Sequence, residues 1–173
     1  MSENTTTETR TVKLKFLRSQ LLYDIKNYAY VEGEVMDEDK NVHAKHTLTE
    51  IGEEGNVDRV TRILSVVHAA VIEILYPYTK LEAAEEEIND ILWAPEEYLV
   101  EFHVPTTFSR TTAHLLSRLI HEFMVYSVLH DWLSITNPSA AANWKAKADA
   151  VSEQINEVKN LRTGVLTRKC QPF

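Results

Sequence analysis

The sequence predicts a mainly α protein: a helical bundle with a long antiparallel C-terminal helical hairpin and a small β element. Three observations lead to this fold class. Apolar residues recur every three or four positions in several long segments, which is typical of amphipathic helices. Residues 98–104 instead alternate apolar and polar side chains, as a strand does. Only Asn137 and Pro138 separate the last two helical segments, so these two helices must fold back on each other.

The composition fits one folded domain and excludes several classes of function. The 173 residues are 44% apolar and 25% charged. Four glycines are too few for a glycine-rich phosphate-binding loop, and no apolar run approaches the roughly 18 residues of a membrane span. The single cysteine, Cys170, excludes an intramolecular disulfide and a cysteine-based zinc site. We expect a disordered tail over residues 1–10, a single helical domain over 11–164 and a C-terminal arm over 165–173.

Acidic residues are concentrated in two blocks of the chain, whose formal net charge is -8. Residues 32–58 contain nine acidic and two basic side chains, and residues 82–101 contain eight acidic and no basic ones. By contrast, residues 102–173 contain eight basic and five acidic side chains. This alternation indicates acidic loops attached to a helical body.

The first ordered segment is predicted to be a helix from Arg18 to about Val31, with Ser19 as its N-terminal cap. Gly33 then interrupts the helical pattern, so we expect a loop or short hairpin and an extended stretch over residues 42–51. The apolar positions at helical spacing in the first segment are Leu21, Leu22, Ile25, Tyr28 and Ala29.

The second helix has the longest regular apolar pattern, and Asn56 is available to cap its start. Because Pro77 falls in its last turn, this helix is expected to end or kink near Leu75. A weaker helix is predicted over residues 81–92. The apolar positions of the second helix are Val57, Val60, Leu64, Val67, Val71, Ile74 and Tyr78.

The alternating stretch that ends at Pro105 needs a partner strand, because a lone strand would leave its backbone groups unpaired. Two stretches are candidates for that partner. They are residues 12–16 near the N-terminus and residues 42–51.

Two long helices are predicted in the C-terminal half, the first from Thr107 to about Ile135. Asn137 caps the second, Pro138 occupies its first turn, and Gly164 ends it. The apolar face of the first comprises Leu115, Leu116, Leu119, Ile120, Phe123, Leu129, Trp132 and Leu133. The stripe of the second comprises Trp144, Ala148, Val151, Ile155 and Val158.

Histidines are the first candidates for chemistry, because imidazole serves both metal binding and proton transfer. His43 and His46 form an H-x-x-H pair that could bind a metal together with Asp37 or Asp39. However, no second paired ligand motif follows, so the sequence does not predict a metal site here.

Polar residues also share a face of the predicted long helix. His114, Arg118 and His121 lie on this face, while His130 and Asp131 are expected as a pair near the helix end. A structural or interface role is favoured for these groups over a catalytic one. The sequence therefore predicts no catalytic residue, no metal site and no cofactor.

Five stretches of the chain have a distinctive sequence: Arg18–Met36, Glu53–Leu64, Ile74–Lys80, His130–Ala148 and the closing Pro172-Phe173. Together they resemble a family of small virion proteins of tailed phages and prophages of Bacteroides-type gut bacteria. The resemblance implies a non-enzymatic head-to-tail adaptor that forms a neck ring below the portal protein. A tail-completion or terminator protein and a host-directed helical binding module are the alternatives.

In such a ring, one surface of each copy meets a different surface of the next, so opposite charges on the two surfaces are complementary. The implied partners are further copies of the chain, the portal protein and tail or tail-completion proteins. DNA passes only as cargo, no membrane is involved, and the protein is placed in the virion after assembly in the host cytoplasm. The expected interface residues are Glu85, Glu86, Glu87, Arg162, Arg168, Lys169 and Phe173.

Overall fold

A computed structural model describes residues 9–35, 45–46, 48, 50–80, 89–91 and 94–161. Helices dominate these residues, and a two-stranded antiparallel sheet completes the fold, which confirms the predicted mainly α class with a small β element. No helix in this described part combines the length and apolar character needed to cross a membrane. The elements are β1 (Thr9–Leu17), α1 (Arg18–Val35), α2 (Glu54–Ile74), β2 (Glu97–Pro105), α3 (Arg110–Thr136) and α4 (Pro138–Val158).

The sheet pairs β1 with β2, so the N-terminal candidate is the partner of the predicted strand. Leu14 stands opposite Val100, and both are buried on the side of the sheet that faces the helices. The other candidate, residues 42–51, is wrong at its described positions, which have helical or 3-10 backbone. Leu48 and Ile51 are both buried there.

The second predicted helix is confirmed as α2, which buries four of its predicted apolar positions and ends at Ile74, with Leu75 as its C-cap. The prediction of Asn56 as its cap is wrong, because the helix begins after Glu53. A short 3-10 turn over Glu50–Gly52 precedes the helix, and the Asn56 side chain donates a hydrogen bond to the Glu50 carbonyl (2.9 Å). The buried positions are Val60, Leu64, Val67 and Val71.

The first predicted helix is present as α1 but differs at both ends. It continues to Val35, and Gly33 lies buried inside it rather than interrupting it. Tertiary packing thus outweighs the cost of about 1 kcal/mol that a glycine imposes on a helix. Ser19 lies within the helix and does not cap it, because the chain passes from β1 into the helix at Arg18, whose N–H donates to the Glu96 carbonyl (2.9 Å).

The two C-terminal helices follow the sequence pattern closely. α3 begins after Ser109, whose side chain accepts a hydrogen bond from the Thr111 N–H (3.2 Å), while the residues from Pro105 to Phe108 form a turn. Asn137 accepts from the Ala140 N–H (3.2 Å), so the predicted cap is confirmed, as is the first-turn proline. All five predicted apolar positions of α4 are buried. On α3, six of the eight predicted positions are buried, whereas Phe123 is half-buried and Leu115 is 45% exposed.

Several predicted features fall outside the described residues. They include most of the tail over residues 1–10, although β1 already begins at Thr9. They also include residues 81–88 of the weaker predicted helix and Gly164, the predicted end of the last helix. Residues 89–91, the described part of that weaker helix, are not helical.

Candidate functional site

An open cleft of about 440 Å³ lies between the end of β1, the start of α1 and the N-terminal half of α3. Seven of its nine lining side chains are polar or charged, so the cleft suits a polar ligand rather than an apolar one. The lining residues are Lys15, Phe16, Leu17, Gln20, Asp24, His114, Ser117, Arg118 and His121.

Local sequence explains how each wall is formed. β1 runs directly into α1, which brings Lys15 close to the first turns of the helix. Gln20 and Asp24 are four residues apart and therefore share one face of α1. On α3, His114, Arg118 and His121 recur at intervals of four and three residues, so they also share a face, as the sequence predicts.

The carboxylate of Asp24 joins the two helical walls. The His121 Nε2 lies 2.7 Å from the Asp24 Oδ2, and the Gln20 side chain donates to the same oxygen at 3.2 Å. Because an ionised carboxylate only accepts hydrogen bonds, the imidazole is the donor. The side chains of His121 and Asp24 are 25% and 29% exposed, so this contact is partly shielded from water. The acidic group in the cleft is therefore already partnered from within the chain.

The cationic groups of the cleft are partnered unequally. Lys15 donates to both carboxylate oxygens of Glu97, at 2.8 and 3.0 Å, in a cross-strand pair on the exposed face of the sheet. Arg118 and His114 are exposed and have no hydrogen bond or ion pair with any described residue. Arg118 is therefore a positive charge of the cleft that no described side chain compensates, whereas Lys15 and Asp24 are both partnered.

Other polar groups that the sequence singles out have structural roles. His130 donates from Nδ1 to the Ala141 carbonyl (3.0 Å) and so links α3 to α4. Asp131 lies 3.7 Å from Arg59 of α2. The prediction of a pair near the helix end is wrong, because both residues lie more than one turn before Thr136, the last residue of α3.

A second, smaller cleft of about 290 Å³ lies where α2 meets the sheet. Its polar groups are satisfied internally: the His68 Nε2 donates to the Leu99 carbonyl (2.9 Å), and the Tyr98 hydroxyl donates to the Thr61 carbonyl (3.5 Å). Burial raises the pKa of Tyr98 above its usual value. These hydrogen bonds therefore attach α2 to β2, and they occupy the polar groups of His68 and Tyr98 that a ligand would otherwise use.

All seven predicted interface residues lie outside the described part of the chain, as do His43 and Cys170. His46 is exposed and has helical backbone. Among the described residues, no group of three or more His, Cys, Asp or Glu side chains is arranged to hold a metal ion. The interface residues in question are Glu85, Glu86, Glu87, Arg162, Arg168, Lys169 and Phe173.

The sequence did not point to Lys15, Gln20 or Asp24 as members of a site. Asp24 and His121 are separated by 97 positions, and only the packing of α1 on α3 brings them together. The signal that the sequence does carry is the shared face of the α3 residues. No protein-family model, curated protein or solved structure matches the chain. Within the cleft, Arg118 is the charged group that pairs with no described residue, so it is available to an anionic ligand.

Proposed function

We propose that this protein is a non-enzymatic structural protein of a phage virion, a head-to-tail adaptor that forms part of a neck ring between the portal and the tail. The resemblance of the five sequence stretches to small virion proteins carries this proposal. Its partners are further copies of itself, the portal protein and tail or tail-completion proteins. DNA passes the ring only as cargo, and no membrane takes part. The protein functions in the virion after assembly in the host cytoplasm.

The two faces of α1 support a role in assembly. Leu21 and Ile25 are buried against the rest of the chain, whereas Tyr23 and Tyr30 are 64% and 57% exposed. The two tyrosines are seven residues apart and so share the outer face of the helix. A helix with large apolar side chains on both sides favours burial on both sides, and tyrosine is enriched in the cores of protein interfaces.

We further infer that α3 and α4 form the long antiparallel hairpin of the predicted bundle. Two contacts support this arrangement. Tyr126 meets the ring of Trp144, with a centroid distance of 5.4 Å, and His130, one turn later on α3, meets the carbonyl of Ala141, earlier on α4. Moving towards the C-terminus of α3 therefore corresponds to moving towards the N-terminus of α4, as in an antiparallel pair. Such a hairpin would give the subunit a rigid body on which assembly surfaces can be carried.

The mass of the purified protein in solution, alone and with the portal protein of the same phage, tests the proposed function. We expect a discrete ring, formed either alone or only when the portal is present. A stable monomer that does not bind the portal would overturn the proposal and favour a host-directed binding module. A ring that binds a tail protein but not the portal would favour a tail-completion role.

Substitution of exposed tyrosines tests whether α1 belongs to the assembly surface. Tyr23→Ser combined with Tyr30→Ser should weaken ring formation without unfolding the chain, because both side chains are already exposed in the subunit. Tyr76→Ser is the matched control, since Tyr76 is also 50% exposed but does not belong to α1. Equal effects of the two changes would remove α1 from the assembly surface.

A further inference from the structure

The exposed side of α3 carries a row of two arginines and two histidines in a protein whose formal net charge is -8 with histidine counted as neutral. Arg110, His114 and Arg118 follow one another at intervals of four residues, and His121 extends the row into the cleft. We name these four residues the basic stripe. Successive members lie one turn apart on one face of the helix, so they present a continuous surface about 17 Å long.

Among the described residues, the basic stripe is compensated only at His121, whose Nε2 lies 2.7 Å from the Asp24 carboxylate. Arg110 and Arg118 have no ion pair with any described residue, whereas Lys13 and Lys15 of the neighbouring strand pair with Glu101 and Glu97. Arg110 also stands in the first turn of α3, where the helix dipole disfavours a positive charge, and that turn contains no acidic residue. The positive charge of this surface is therefore not explained by stabilisation of the subunit itself.

The chain contains a segment of complementary charge. Residues 81–88, LEAAEEEI, contain four glutamates and no basic residue. Eight residues reach up to roughly 29 Å when extended, which exceeds the length of the basic stripe. DNA is a poorer occupant, because its phosphates carry a much higher density of negative charge than this segment, so the overall negative charge of the protein and Asp24 in the cleft repel it more strongly.

We propose that the basic stripe and its cleft bind the acidic segment 81–88 of a second copy of this chain. Carboxylates of Glu85, Glu86 and Glu87 would pair with Arg118 and its neighbours, with the charge-assisted hydrogen bonds that guanidinium groups form with carboxylates. This contact is heterologous, because it joins one surface to a different surface of the next copy. The inference rests on the proposed function in that it assigns one of the contacts within the ring.

A binding assay with a fluorescent peptide of residues 80–91, KLEAAEEEINDI, tests the inference directly. The receptor is the full-length protein with Glu85→Gln, Glu86→Gln and Glu87→Gln, so that its own segment does not compete. We expect the peptide to bind this receptor and to bind more weakly as the salt concentration rises. The same peptide with glutamine at the three glutamate positions should bind at least about tenfold more weakly.

A pair of charge reversals locates the contact. Arg118→Glu in the receptor should weaken peptide binding at least about tenfold, because like charges then face each other. Lys145→Glu makes the same change of charge at an exposed position of α4 and should leave binding within about twofold of the unreversed receptor. No peptide binding, or an equal loss from both reversals, would overturn the inference. Displacement of the peptide by duplex DNA at a lower concentration than by unlabelled peptide would also overturn it.

The mass of the otherwise unsubstituted protein identifies the occupant. A larger assembly that Arg118→Glu dissociates and Lys145→Glu preserves supports a second copy as the occupant. A protein that stays monomeric while the peptide binds in an Arg118-dependent way would show that the segment occupies its own cleft, which overturns the second-copy contact. A ring that Arg118→Glu leaves intact would refute this inference while the proposed function stands.

Discussion

Replacement of Trp144 by alanine removes the ring at which three helices meet. The Trp144 side chain is 4% exposed, and its ring centroid lies 5.4 Å from those of both Tyr28 on α1 and Tyr126 on α3. The Lys147 ammonium lies 3.8 Å from the same centroid. The substitution therefore removes contacts among α1, α3 and α4 together.

The size of the effect follows from this burial. Truncation of a buried tryptophan to alanine typically lowers the free energy of unfolding by about 3–5 kcal/mol, because apolar contact is lost and a cavity remains. The total free energy of unfolding of a domain of this kind is about 5–15 kcal/mol, so the loss is a large fraction of it. With about 2–4 °C in Tm per kcal/mol, the midpoint should fall by roughly 6–20 °C.

Urea unfolding followed by circular dichroism measures this loss, and thermal unfolding measures the change in midpoint. Trp144→Phe is the control. It retains an aromatic ring at the junction, so its loss of free energy of unfolding should be clearly smaller than that of Trp144→Ala. A loss below about 1 kcal/mol for Trp144→Ala, or equal losses for both variants, would show that the Trp144 ring does not hold the three helices together.

Three further predictions concern single contacts. A double-mutant cycle with Asp24→Ala and His121→Ala should give a coupling of roughly 0.5–1.5 kcal/mol in urea unfolding; strictly additive losses would contradict a direct contact. Asn137→Ala should cost about 1 kcal/mol by the same assay, while Asn137→Ser, which retains a capping oxygen, should cost less. Burial, together with the hydrogen bond to Tyr28, raises the pKa of Tyr126 from 10.0 to about 12. Because the unfolded state then loses its proton first, the free energy of unfolding should be level below pH 10.0 and fall towards about pH 12. Denaturation at several alkaline pH values should show a smaller fall for Tyr126→Phe, and an unchanged fall would exclude Tyr126 as its source.

The elements that are predicted correctly are those in which a single periodic apolar pattern decides the structure. The stripes of α2 and α4 repeat over many turns, and one helical face must be buried in each case. The cap at Asn137 followed from the local chemistry of Asn before Pro, which does not depend on the rest of the fold.

The predictions that are wrong concern segments in which tertiary packing competes with local conformational preference. Gly33 lies inside α1 although glycine weakens helices, because the position is buried. Leu48 and Ile51 were predicted in a strand, yet both are buried in helical or 3-10 turns. In both regions the apolar pattern is short, so the local sequence is compatible with more than one backbone conformation.

Local sequence is enough for the mainly α class, for the long helices and for the expectation that residues 98–104 need a partner strand. These features depend on local periodicity and on the need to satisfy backbone hydrogen bonds, both of which can be read along the chain. The fold selected residues 12–16 over residues 42–51 as that partner strand, brought Asp24 to His121 across 97 positions, and left the exposed Arg118 with no ion pair to a described residue. A contact between distant segments depends on how the helices pack, and the packing is set jointly by all the buried side chains.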